Sequence, residues 1–166
     1  MSFIFTRLGP SHSREGFACG EPSLDRYLRK NAGQDAKKGF ATVIVATRDG
    51  QPTKVLGYYA LAAASVPFGR LPEEVAQKLP RYPEVPALLL GRLAVDTQCQ
   101  RQHLGAYLLL DAMQRALANE LAWAFFLVHA KHERAKNFYL KFLFHPFQDN
   151  PDHLWLSRKQ VANLLQ

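Results

Sequence analysis

The stretch VDTQCQRQHLGAYLLLDAM, Val95 to Met113, joins the end of an apolar strand to a polar turn, and the turn directly to a helix. The helix is predicted from about residue 104 to 120. Ala106, Leu109, Leu110, Met113, Ala116 and Leu117 recur at i, i+3, i+4, i+7, i+10 and i+11, one helical face for a core. Asp111, Gln114, Arg115 and Asn119 fall mostly elsewhere. The turn ahead of the helix carries Gln100, Arg101, Gln102 and His103, then Leu104 and Gly105. Such a turn offers several unpaired backbone N–H groups, and the helix dipole adds partial positive charge there. Together they suit an anion, phosphate above all. Gly105 permits close backbone approach, and Arg101 adds a long-range charge.

Upstream of the turn, ALLLGRLAV (87–95) reads as a buried central strand. Its near-continuous apolar run predicts cover on both faces, and the Gly91-Arg92 step is the place for a bulge. Downstream, WAFFLVHA (123–130) is a second buried strand, and HERAKNFYLKFL (132–143) a helix with Ala135, Phe138, Tyr139 and Phe142 on one side. FHPF and HLWLS close as a strand pair, and Ser157 caps a last helix, RKQVANLL. Towards the N-terminus, FIFTRL (3–8) alternates as a first strand. Pro22 suits a first helical turn, with Leu24, Tyr27 and Leu28 as its apolar stripe. Gly33 is expected to interrupt that helix, and a second short one to end at Gly39. FATVIVAT and KVLGYYALAAASV flank the turn residues RDGQP and predict an antiparallel hairpin. Residues 67–86 hold five prolines, so one short helix from Leu71-Pro72-Glu73-Glu74 to near Pro80 is expected within extended loop. Alternating strands and helices, with hairpins at both ends, make an α/β (α+β) mixed sheet flanked by helices.

The 166 residues suit one domain with its own core. A chain that is 48% hydrophobic and 21% charged is globular rather than disordered. A net charge of +7 and a pI near 9.6 fit an anionic partner, or simply a soluble basic protein. Cys19 and Cys99 lie far apart and form no CxxC, which argues against a disulfide framework and a cysteine-rich zinc site. His129, His132 and Glu133 lie close in sequence, but a strand-to-helix boundary separates them, so no metal is expected. The N-terminal apolar run is too short for a signal peptide, and no stretch is long enough to cross a membrane; a cytoplasmic protein is expected.

The order LLLGRLAVD…QRQHLGAYLLLDA…FFLVHAK…A…FY…F resembles the GNAT family of acetyl-CoA-dependent N-acetyltransferases. The resemblance implies a GNAT fold over residues 1–166 as a single domain, its central sheet mostly antiparallel with helices on both faces. In that family a central strand ends in a Q/R-x-x-G-x-G/A turn around the pyrophosphate of coenzyme A. Gln100 fills the first position, Gly105 the second glycine position, and Ala106 follows. His103 stands at the first glycine position; if that site needs a positive φ, histidine meets a steric cost there. FACGEPSLDRYLRKNAGQDAKKGFATVIVA, GYYALAAASV, LPRYPEVPALLLGRLAVD, LLLDAMQRA and AKHERAKNFYLKFLF further resemble the GNAT toxins of type II toxin–antitoxin modules, across roughly residues 17–156. These toxins acetylate the α-amine of aminoacyl-tRNA and block translation. The resemblance therefore implies aminoacyl-tRNA as substrate, a ribbon-helix-helix antitoxin as partner, and a homodimer.

The resemblance also assigns roles. The turn, Gln100 to Ala106, holds the phosphates of acetyl-CoA. The backbone of Leu93, Ala94 and Val95 pairs with the pantetheine arm, and the Leu93 N–H polarises the thioester carbonyl. Tyr139 is the general acid for the departing thiolate; periodicity alone reads it as a core tyrosine of an amphipathic helix. Asn137 is either a cofactor hydrogen-bond partner or a helix-surface residue. No strong general base stands out, although Glu133 and His132 border the same helix. An α-amine has a pKa near ~8, against ~10.4 for lysine, and an ester lowers it further, so little base is needed. For tRNA, Arg26, Arg29 and Lys30 with Lys37 and Lys38 are the densest basic run, and Arg81 and Arg92 are further candidates. An arginine inside a buried strand, as Arg92 is predicted to be, needs a partner. Two other readings stay open: an acetyltransferase of a small amine or protein N-terminus, and a non-catalytic GNAT-like module that binds RNA or a partner.

Overall fold

A computed structural model describes Ser2–Gln166. Strand β1 is Phe3–Arg7. Helix α1 (Pro22–Arg26) runs through a π-helical turn at Tyr27–Asn31 into α2 (Ala32–Lys38). Then follow β2 (Thr42–Arg48), β3 (Gly57–Pro67), α3 (Glu73–Ala76), β4 (Glu84–Val95), α4 (Leu104–Ala118), β5 (Phe125–His129), α5 (Glu133–Lys141), β6 (His145–Pro146), β7 (His153–Ser157) and α6 (Arg158–Leu164). Among the described residues the sheet has seven strands in the order β1-β2-β3-β4-β5-β7-β6. β1–β2, β2–β3, β5–β7 and β6–β7 pair antiparallel, and β4–β5 pair parallel. This is the mixed, mostly antiparallel sheet expected. The chain divides into two compact units, one reaching to Ala62 and including Gly91–Arg115, the other Ala63–Leu90 with Ala116–Gln166.

In the first unit β2 is the strand buried on both faces, Val43 through Thr47 without a break. Val43, Val45, Tyr58 and Ala60 pack with Leu24, Tyr27, Leu28 and Ala32 of the first helical segment. Tyr58 locks that face by donating its hydroxyl to Leu24 O at 2.7 Å. Tyr59, opposite Ile44, faces α4 instead and donates to the Asp111 carboxylate at 2.7 Å. Gly57 lets α4 come close: a Cβ there would lie 3.0 Å from Leu108 Cδ1 and 3.1 Å from Ala94 O.

Three expectations change. Gly33 does not break the first helix; it lies inside α2, and the irregularity precedes it as the π turn. The chain leaves α2 at Gly39, whose φ of 79° is the left-handed cap expected there. The α4 stripe is rotated by about one residue: Leu104, Leu108, Leu109, Ala112, Met113 and Ala116 are buried, while Ala106, Leu110 and Leu117 are half-buried. The contact with β3 sets the face: Leu104 and Leu108 close on Gly57, where a Cβ would lie 3.2 and 3.0 Å from their side chains. β4 is less enclosed than its apolar run implied, since Leu88, Leu89 and Leu93 are half-buried and only Val85, Ala87, Leu90 and Ala94 are fully covered.

In the second unit, Phe125 and Leu127 of β5 join Val66, Leu71, Val85, Ala87, Phe147 and Trp155 in one core. Phe126 turns the other way, towards Trp123 and Phe144. α5 ends in a paired turn: Phe144 N–H bonds Tyr139 O at 3.4 Å and Leu143 N–H bonds Leu140 O at 3.0 Å. Leu143 takes the left-handed position there, φ 71°, that glycine usually fills. Ser157 caps α6 with a full capping box to Gln160.

Candidate active site

The turn between β4 and α4 is built from the end of β4 outward. Asp96 is buried, and its carboxylate accepts N–H bonds from Gln98 at 2.9 Å and Ala18 at 3.2 Å. The first bond caps a short 3-10 turn, Thr97–Cys99; the second ties it to the distant segment at Ala18. Gln100 then folds its amide back, donating to Val95 O at 3.0 Å and Cys19 O at 2.9 Å. Its side chain thus shapes the turn. Arg101 and His103 both adopt left-handed backbone, φ 67° and 64°. The first glycine position of the motif does require a positive φ, and histidine occupies it. Left-handed residues interleaved in a turn are the backbone pattern by which successive amides can face one anion. Helix α4 follows, and Tyr107 N–H reaches His103 O at 3.1 Å. The amides of Leu104, Gly105 and Ala106 precede that bond and belong to the helix end that has no intrahelical acceptor. Leu104 anchors the turn in the core, while Arg101, Gln102 and His103 are exposed.

Cations gather around the turn that the sequence reading did not single out. Arg48, at the end of β2, donates through Nη2 to Gln102 Oε1 at 3.0 Å, and Lys54 Nζ lies 3.4 Å from Gln98 Oε1. Their sequence signal is faint, since each is a lone cation some fifty residues away from its contact. Asp96 was more legible, as an acid closing an apolar strand ahead of a turn. At the same strand end Ala94 is buried, while Leu93 and Val95 are half-buried.

In the second unit Tyr139 is almost wholly buried, packed by Phe138 and Phe144 at ring distances of 5.3 and 5.5 Å. Burial pushes its phenol pKa well above the ordinary value, so it stays protonated. Among the described residues its hydroxyl meets no hydrogen-bond partner. Asn137 is exposed on the same helix. His132 caps that helix, its Nδ1 accepting the Ala135 N–H at 3.2 Å, and Glu133 is exposed in the first turn. His129 stacks on His153, ring centroids 3.7 Å apart, rather than meeting His132. Among the described residues no group of three or more potential ligands is placed to hold a metal.

Arg26, Arg29, Lys30, Lys37 and Lys38 are all exposed along the first helical segment, opposite the buried Leu24, Tyr27, Leu28 and Ala32. Arg92 is half-buried, and its partner is an aromatic face: the guanidinium lies 3.8 Å from the Tyr27 ring centroid. Tyr27 in turn donates to Asp35 at 2.8 Å, and burial together with that bond pushes its pKa up to about 12. Arg81 is exposed in the other unit, near the Phe68 ring at 5.9 Å.

Residues 8–144 match the acetyltransferase (GNAT) family. The chain belongs to that family. Among its relatives is a tRNA-acetylating toxin of Mycobacterium tuberculosis (strain ATCC 25618 / H37Rv), 39% identical over 96% of this chain and 94% of the relative. Similar solved GNAT structures include a tyrosine-to-phenylalanine mutant of KacT, with TM-score 0.91, 26% identity and 99% of each chain covered. AtaT complexed with acetyl-methionyl-tRNAfMet matches at TM-score 0.89 and 27% identity over 99% of this chain and all of that one. AtaTR bound with AcCoA matches at TM-score 0.84 and 28% identity over 99% of this chain and 98% of that one. The GNAT match crosses both compact units.

Proposed function

We propose that this GNAT chain is a toxin that moves the acetyl group of acetyl-CoA to the α-amino group of aminoacyl-tRNA and so blocks translation. One observation carries the reading: the chain is 39% identical to a tRNA-acetylating toxin across nearly its whole length. The turn with two left-handed residues ahead of α4 supports the cofactor half, and the exposed cations of the first helical segment support the tRNA half. In this reading the whole chain works as one acetyltransferase domain, in the cytoplasm, as a homodimer restrained by a ribbon-helix-helix antitoxin.

Binding acetyl-CoA presents a thioester to the amine. The amides of residues 101–106 take the pyrophosphate, with Gln100 holding the turn in shape and Arg101 adding charge. The Leu93–Val95 backbone aligns the pantetheine arm, Asn137 donates to it, and the Leu93 N–H stabilises the oxyanion. The neutral amine attacks the carbonyl, the C–N bond forms and the C–S bond breaks. Tyr139 gives its proton to the leaving sulfur and regains one as the amine nitrogen loses its own. A phenol held above its ordinary pKa suits that part, because it is protonated whenever the thiolate departs. Arg26, Arg29, Lys30, Lys37, Lys38, Arg81 and Arg92 position the tRNA phosphates.

The test is incubation of the purified protein with acetyl-CoA and a pool of charged tRNAs, followed by mass spectrometry. N-acetyl aminoacyl-tRNA is the expected product. Acetyl-CoA binding without that product would replace the reading with a small-amine or protein-N-terminus acetyltransferase. Loss of both leaves only a binding module.

A further inference from the structure

Arg14 lies in the loop that follows β1, well ahead of the cationic helical segment in sequence, and the fold brings the two together. The seat is Gly33, inside α2: a Cβ there would lie 3.1 Å from Arg14 Nη1, 3.8 Å from Nη2 and 3.9 Å from Cζ. Glycine inside a helix is unfavourable relative to alanine, and here the space that its missing side chain leaves is filled by the guanidinium. The loop holds Arg14 from both sides. Ser13 N–H bonds Thr53 O at 2.6 Å, and the N–H of Phe17, which is buried in the core, bonds Arg14 O at 3.2 Å. Arg14 Nη2 itself donates to Gly9 O at a long 3.5 Å. Among the described residues no carboxylate pairs with it; the ion pairs are Arg70–Asp149, Arg115–Asp111 and Lys136–Asp152. The seat also lies midway along the charged face of the segment. Arg29 and Lys30 stand one helical turn before Gly33 and Lys37 one turn after it, all three exposed. Arg14 is half-buried, so its head is held by the fold while theirs stand in solvent.

We infer that Arg14, seated on Gly33, is the fixed anchor for one phosphodiester of the tRNA and sets where the nucleic acid lies along the first helical segment. The inference rests on the aminoacyl-tRNA reading above. It adds to that reading a residue from outside the basic run, together with the glycine that orients it. A guanidinium presents a planar fork of donors that matches two phosphate oxygens, whereas a lysine ammonium is a mobile point charge. Phosphate contacts fix the register of a protein on a nucleic acid. A cation whose side chain is already ordered, and which has no acid to give up, loses little on forming such a contact.

The experiment measures binding of purified, uncharged tRNA to the full chain across about 50 to 200 mM NaCl. It compares the unmodified protein with Arg14→Gln, Gly33→Ala and the two changes combined. Arg14→Gln is expected to bind tRNA about tenfold or more weakly, the worth of a charge-assisted bond, and to reduce the salt slope by about one charge. Gly33→Ala alters no charge. Its methyl displaces the guanidinium, the flexible end of a side chain, so melting temperature should hold or rise while tRNA affinity falls severalfold. In the Arg14→Gln background the same alanine should cost no further affinity. Acetyl-CoA affinity should be unchanged in all three variants. Unaltered tRNA affinity and slope in Arg14→Gln overturns the inference. So does a Gly33→Ala that keeps full tRNA affinity, or one whose loss is the same with and without Arg14; each returns the pair to a packing role. Where Arg14→Gln lowers the melting temperature, the Gly33→Ala result decides. Variants that respond as expected in a protein yielding no N-acetyl aminoacyl-tRNA defeat the functional reading alone, and absence of tRNA binding by the unmodified protein defeats both.

Discussion

Arg101 and His103 hold φ of 67° and 64°, in a region that side chains bearing a Cβ enter at a cost of about 1–3 kcal/mol. Neither is glycine, so the turn keeps its shape through anchors on either side: Asp96 on Gln98 and Ala18, Gln100 on Val95 and Cys19, Leu104 in the core. His103→Gly removes the Cβ conflict while leaving those anchors, and is expected to stabilise the fold by about 1 kcal/mol, or ~2–4 °C in melting temperature. Differential scanning calorimetry reads that shift, and a fall in melting temperature would show that the imidazole contributes contacts worth more than the strain. Tyr139 carries the other single-residue prediction. Tyr139→Phe keeps the packing against Phe138 and Phe144 and deletes only a hydroxyl that has no partner among the described residues. Turnover should fall about 10²-fold or more, while acetyl-CoA affinity and melting temperature hold. Undiminished turnover would return Tyr139 to the part that its periodicity alone describes, a core aromatic.

Elements set where those residues stand. Gly57 is the contact at which β3 meets both the end of β4 and the first turns of α4. In Gly57→Ala the methyl would press on Ala94 O, which is backbone, as well as on the flexible ends of Leu104 and Leu108. We expect about 1–3 kcal/mol of destabilisation by denaturant titration, together with weaker acetyl-CoA binding, because the strain falls on the elements flanking the turn. A stability loss with unchanged affinity would separate this packing from the cofactor site. The first helical segment is the element that presents charge. Its π turn at Tyr27–Asn31 contains Arg29 and Lys30, both exposed, while Tyr27 and Leu28 of the same turn are buried. Reversing Arg29 and Lys30 to glutamate is expected to weaken tRNA binding about tenfold or more at moderate salt and to flatten its salt dependence by about two charges. Acetyl-CoA binding serves as the control, and equal losses of both ligands would point to damage to the fold.

Acid stability is a property of the whole molecule, and the stacked pair His129–His153 sets an expectation for it. Burial is the main cause that pushes His129 down from 6.5 to about 4, helped by His153, Lys131 and Arg70. His153 is lowered too, by burial first and by Arg70, whose Nη2 lies 3.5 Å from its Nδ1; Asp149 and Asp152 oppose that shift. The folded chain therefore binds fewer protons here than the unfolded one below pH 6.5. The pair's contribution is complete above that pH and is lost as pH falls from about 6.5 towards 4. Melting temperature measured across that interval should drop, and His129→Asn should make the slope shallower. An unchanged slope would assign the acid sensitivity to other groups.

Much of this was legible in the chain itself. Turn chemistry and apolar periodicity placed the strands, the α4 start, the Gly39 and Ser157 caps and the turn between β4 and α4, because each depends on neighbours in sequence. The motif order, with the full-length resemblance, was enough to name the fold class and the candidate chemistry. What the sequence could not supply depends on contacts between distant segments. Arg48 meets Gln102, Asp96 holds Ala18, and Arg92 finds the face of Tyr27, each across a span that no local pattern encodes. Burial likewise needs both partners of a packing pair: the apolar run of β4 looked more enclosed than it is, while β2 is buried without a break from Val43 to Thr47. The sequence determined which segments become helix, strand and turn, since backbone preference and periodicity act within a few residues. Only the tertiary structure decided which side chain completes each site, since that is set by which surfaces meet when apolar area leaves water.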